Sequence, residues 1–99
     1  MYTVIFFAKI KTADQEYFDS ALKLRKLAQE EYGCLDFHSV TQENREITIS
    51  RWPNLDQIRL WREDPLHRQA QELGKTKWYE SYRVEILENL RAYDSEEGA

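Results

Sequence analysis

With 99 residues, 41% of them hydrophobic and 32% charged, the chain has the make-up of one small folded domain and not of a disordered segment. Its 18 acidic and 14 basic residues are interspersed for a net charge of −4, so there is no basic stripe for nucleic acid and no polybasic segment for an anionic membrane. Cys34 is the one cysteine, which excludes an intramolecular disulfide and fits a reducing compartment.

The N-terminus shows no basic region leading into an apolar core and cleavage site, and no apolar run approaches ~18 residues, which predicts a cytoplasmic chain. Tyr2 to Lys11 reads as a strand, with Val4, Ile5, Phe6 and Phe7 in one apolar run. Both parities are apolar, as expected of a central strand covered on two sides. Thr12 to Gln15 can form a capping box with Thr12 as N-cap. A helix is expected from about Ala13 to Glu31, with Phe18, Ala21, Leu22, Leu24, Ala28 and Tyr32 on its apolar side and Gly33 as its stop. Cys34 to Gln42 reads as a strand, Glu43-Asn44-Arg45 as a hairpin turn, and Glu46 to Trp52 as the next strand. Ile47 and Ile49 lie on one parity of that strand; Thr48, Ser50 and Trp52 lie on the other.

Asn54 caps a helical segment from Leu55 to Arg62. Asp64-Pro65 is a break, because Asp is a preferred cap and Pro fits the first helical position. A second helical stretch then runs to Gly74, the expected C′ stop. Tyr79 to Tyr93 carries the last strand. If the chain has a pocket, Trp61 to Tyr82 is expected to wall it. A single domain is expected over residues 1–93, with a frayed tail over 94–99.

The order is βαββαβ, an α+β, ferredoxin-like arrangement: a four-stranded antiparallel sheet with two helices on one face. Those helices leave one face open, exposing either Ile5 and Phe7 or Val4 and Phe6. Each large apolar side chain left in water forfeits ~1.5–3 kcal/mol. A second copy is the simplest cover, so a homodimer with the two sheets packed into an α+β barrel is expected; the alternative is an open monomer with a tolerated patch.

Three segments carry a family resemblance: YGCLDFHSV from Tyr32, ITISRWPNLDQIRLW from Ile47, and DPLHRQAQELGKTKWYESYRV from Asp64. With them the chain, from Tyr2 to Tyr93, resembles the antibiotic biosynthesis monooxygenase family of dimeric α+β barrels. The resemblance implies a strong dimer and, in each subunit, a pocket between helices and sheet. It implies either oxygenation of an aromatic, polyketide-like or quinol substrate without metal or flavin, or haem binding and degradation. Trp61 falls where haem-degrading relatives carry a tryptophan. Gln71 stands at the place of their axial histidine, and the first strand, Tyr2 to Lys11, contains no asparagine to match theirs. That pattern argues against haem degradation of the known type and leaves haem binding with another ligand as an alternative.

The candidate chemistry is spread over few residues. His67 suits proton transfer at neutral pH, or is a partly exposed helix residue near Asp64. Trp61, Trp78, Tyr79 and Tyr82 are candidates to line an aromatic pocket, or are core and dimer contacts. A hydroxyl of Tyr79 or Tyr82 can meet a substrate phenol. Arg83 can steady a developing phenolate or enolate, or pair across strands. His38 shares a face with Asp36 and is a candidate contact at the site or the interface. No metal-ligand spacing and no Gly-rich phosphate loop are readable, so no cofactor is expected. The first functional expectation is thus a cofactor-independent monooxygenase with His67, Tyr82 and Arg83 in catalysis and Trp61, Trp78, Tyr79 and His38 in substrate binding. The second is a non-enzymatic dimeric binding or stress protein for a hydrophobic metabolite.

Overall fold

The computed structural model describes residues 1–95. Its elements are β1 (Tyr2–Ile10), α1 (Gln15–Glu31), β2 (Asp36–Gln42), β3 (Arg45–Trp52), α2 (Leu55–Glu63), α3 (Pro65–Leu73), a π-helical turn (Gly74–Trp78) and β4 (Tyr79–Glu88). All strand pairs are antiparallel, in the order β2-β3-β1-β4. This is the ferredoxin-like sheet, with the apolar β1 at its centre. The second helical segment is two helices, because Asp64-Pro65 breaks it.

Register decides what each face carries. Val4 lies opposite Ser50 and Ile86, Phe6 opposite Thr48 and Val84, and Ala8 opposite Glu46 and Tyr82. This parity faces the helices: Val4 packs in one core with Ala28, Cys34, Phe37, Trp52, Ile58 and Trp61. A second cluster joins Tyr17, Ala70 and Trp78. On the other face Ile5 lies opposite Ile49, Phe7 opposite Ile47, and Val40 opposite Ile47. No helix covers that side. Strand β3 therefore turns Glu46, Thr48 and Ser50 inward and two isoleucines outward.

Several local expectations are corrected. Asp14, not Thr12, caps α1: its carboxylate accepts from the Tyr17 N–H at 2.9 Å and meets Lys77 Nζ at 2.6 Å. The Lys77 ammonium holds Asp14 below the usual carboxylate range. The inner face of α1 runs through Tyr17, Leu24, Leu27 and Ala28, while Phe18 and Leu22 are exposed. Strand β2 begins at Asp36, because Cys34 is still tied to α1 through its N–H to the Ala28 carbonyl at 2.9 Å. Strand β4 ends at Glu88, and Asn89 then closes on the chain start through its N–H to the Met1 carbonyl. Gly74 is not a left-handed stop but continues in right-handed geometry. It is glycine because a Cβ there would sit 2.8 Å from the Tyr79 ring. Gly33 does terminate α1, with φ +74. Of the tail expected to fray, residues 96–99 lie outside the described residues.

Candidate active site

An elbow between α2 and α3 positions the candidate chemistry. Asn54 starts α2 by accepting from the Gln57 N–H at 3.0 Å. Asp64 closes α2 through its own N–H to the Trp61 carbonyl and opens α3 by accepting from the Leu66 N–H at 2.9 Å. Its second carboxylate oxygen accepts from the Tyr32 hydroxyl, beyond the end of α1, at 2.7 Å. These bonds, the Tyr32 hydroxyl first, hold Asp64 below the usual carboxylate range. One residue thus ties three helices together.

The elbow sets His67, in the first turn of α3, edge-on to Trp61 of α2, with ring centres 4.3 Å apart. Trp61 in turn lies 5.1 Å from Trp52 and 6.1 Å from Phe37, and its indole N–H donates to the Leu24 carbonyl at 3.2 Å. It is 7% exposed, so its position is fixed from behind by the core. His67 Nδ1 is buried with no hydrogen-bond partner, and so is Gln57 Oε1, which lies one helical turn before Trp61 with its amide packed against Gly33. An unsatisfied buried polar atom costs ~1–3 kcal/mol. Burial, reinforced by the Arg62 charge, pushes the His67 pKa down to about 4, so the imidazole is neutral at neutral pH. A buried neutral imidazole nitrogen without a partner can accept from a ligand hydroxyl.

A second aromatic group lies toward the other end of the sheet. Phe6 meets Tyr79 at 5.3 Å and Tyr82 at 5.8 Å, and Tyr17 meets Trp78 at 5.4 Å. Glu46 is buried among them; it accepts from the Tyr17 hydroxyl and from the Thr48 hydroxyl. Burial pushes the Glu46 pKa up against the Thr48 bond. Burial and then the Glu46 charge raise the Tyr79 phenol well above its ordinary value.

The structure therefore sorts the sequence candidates into three places. Trp61 and His67 are in direct contact. Trp78, Tyr79 and Tyr82 belong to the second group, Trp78 at 2% exposure being core. His38 and Arg83 project from the open face. His38 sits 2.5 Å from Asp36, and Arg83 pairs with Glu85 at 2.9 Å beside Phe7. Sequence reasoning missed Gln57, Tyr17 and Glu46. Gln57 carried a signal, being one turn before Trp61. Glu46 shares a parity with Thr48, Ser50 and Trp52, which only strand pairing reveals as the inner one. Among the described residues, no group of three or more His, Cys, Asp or Glu side chains is arranged to hold a metal ion, and no helix is long and apolar enough to cross a membrane.

Comparison with known proteins places this geometry. The family model for antibiotic biosynthesis monooxygenase matches residues 1–73. Uncharacterized protein YqjZ of Bacillus subtilis (strain 168) is 37% identical over 86 residues, 86% of this chain and 75% of that protein. SnoaB, a cofactor-independent oxygenase from Streptomyces nogalater, superposes with TM-score 0.76 at 11% identity, over 92% of this chain and 94% of SnoaB. PA3566 from Pseudomonas aeruginosa superposes with TM-score 0.73 at 13% identity, over 91% and 94% of the two chains. At such identities the two structures speak for the fold alone. The family match runs from β1 to the end of α3 and so takes in both the sheet core and the Trp61–His67 elbow. The chain belongs to the antibiotic biosynthesis monooxygenase family.

Proposed function

We propose that this chain is a homodimeric, cofactor-independent monooxygenase for a small electron-rich aromatic substrate, a quinol or polyketide-like phenol, bound at the Gln57–Trp61–His67 wedge. The observation that carries the reading is the unpartnered buried His67 Nδ1 beside the Trp61 ring; Gln57 Oε1, one helical turn before Trp61, is a second buried acceptor without a partner. A phenolic or enolic O–H would satisfy the His67 nitrogen while its ring lay against Trp61. Neutral His67 takes the substrate proton, and the resulting anion gives an electron to O2. Recombination places oxygen on carbon. Over a full turnover an activated CH2 becomes C=O and the second oxygen atom leaves as water, so the substrate supplies all the electrons. Tyr79 and Tyr82 offer further hydroxyls on the same side of the sheet. His38 and Arg83, on the open face, serve the contact between sheets.

Family membership and the fold shared with SnoaB support the reaction class. The uncovered Ile5, Phe7, Val40, Ile47 and Ile49 support the dimer, because a partner sheet is the cover that suits a flat apolar face. The test is oxygen uptake with an anthrone or quinol after chelator treatment. His67→Ala is expected to lower kcat/KM by about 100-fold and Gln57→Ala by about 10-fold. Uptake unchanged in both variants defeats the assignment. Tight substrate binding with no uptake in the parent protein favours the sequestering role instead.

A further inference from the structure

Beyond the wedge, a cavity of about 580 Å³ opens between α2, α3 and Ile86 of β4, a size that suits a small organic ligand. Leu55 and Ile86 supply exposed apolar wall, while Ile58 at its edge belongs to the core. Four cationic side chains and two carboxylates supply the rest of its charge, a local balance of +2 in a chain of net −4. Arg59 is neutralised by Asp56 at 3.7 Å and Glu63 at 3.4 Å. Arg62, Arg68 and Lys75 have no ion pair among the described residues. Three cations without an ion pair, offset in part by the Glu72 carboxylate in the same lining, leave this cleft with a net positive potential. Forked guanidinium groups match a planar carboxylate in geometry as well as charge.

We propose that this cavity binds the acid group of an aromatic carboxylate, held by Arg62, Arg68 and Lys75 with its ring against Leu55 and Ile86. Arg62 joins the cavity to the wedge: it lines the cavity, and its charge acts on His67. As a statement about substrate class, an aromatic acid over its neutral counterpart, the proposal rests on the oxygenase reading. As a statement about binding it stands alone.

The test uses the full chain and two probes, anthracene carboxylate and its methyl ester, titrated by intrinsic fluorescence. The acid is expected to bind at least about 10-fold tighter than the ester, a preference that shrinks as salt is raised to about 0.5 M. The double substitution Arg68→Gln with Lys75→Gln is expected to remove about 10-fold of acid affinity, leave ester binding in place and keep the thermal transition. Equal binding of acid and ester, or undiminished acid binding by the double variant, overturns the proposal. Oxygen uptake separates the two readings with an anthrone carboxylic acid and its ester. If the acid probe binds but neither anthrone is oxidised, the oxygenase reading falls and the anion site stands. If the ester is oxidised as fast as the acid, the oxygenase stands and the acid preference falls.

Discussion

Removal from water favours the neutral form of both His67 and Glu46, which lowers one pKa and raises the other. For His67 the folded pKa of about 4 lies below the ordinary 6.5, so its contribution to stability is intact above 6.5 and is lost as pH falls toward 4. Unfolding by urea across that window should show the loss, and His67→Gln should flatten it. Under the proposed oxygenase reading, with His67 as base, the same shift predicts that the acid limb of the rate falls near pH 4 and not near 6.5. Glu46 works in the opposite sense. Its raised pKa gives a contribution present below 4.5 and lost as pH rises through the folded value. Glu46→Gln keeps an acceptor for the Tyr17 hydroxyl and removes the charge. It should raise the melting temperature at neutral pH, with a difference that closes in acid. A variant less stable than the parent at neutral pH would show that the ionised carboxylate is itself favoured.

At the level of elements, the Asp64 elbow does more than end a helix. Asp64→Ala removes the cap of α3 and the Tyr32 bond, and should lower the melting temperature. Under the proposed oxygenase reading, loosening His67 against Trp61 should lower kcat more than it raises KM, which steady-state kinetics can separate. The elbow was legible in the sequence, because Asp-Pro has one strong local meaning. So was the order of strands and helices, each marked by a clear change of period and a stop. The face that α1 turns inward was less legible. Phe18 and Leu22 are as apolar as Leu24 and Leu27, and only the packing of Tyr17 against Trp78 and Glu46 fixes the phase. The role of Gly74 was hidden for a similar reason: it is set by the Tyr79 ring, a contact that no turn rule contains. Of the candidate wedge, Trp61 and His67 could be singled out from residue type, and Gln57 by its spacing of one turn from Trp61; that its oxygen is buried without a partner shows only in the structure.

For the whole molecule, the polarity of β3 matters most. A strand with Glu46, Thr48 and Ser50 against the helices and Ile47 and Ile49 outside is reversed relative to a protein that ends at its own surface. Both isoleucines are more than a third exposed in the single chain. Ile47→Asp places a charge at the proposed contact and should raise the dimer dissociation constant by at least about 10-fold, measured by light scattering over a dilution series. A monomeric parent at micromolar concentration would remove the barrel. Parity alone could not decide this from the sequence, since isoleucines at alternate positions look like core whichever side they face.

The outward isoleucines have one more consequence. If half of what holds β3 in place belongs to another molecule, abundance becomes part of the fold: the melting temperature should climb with the logarithm of protein concentration. A cell making little of this chain would hold a less durable form of it than a cell making much.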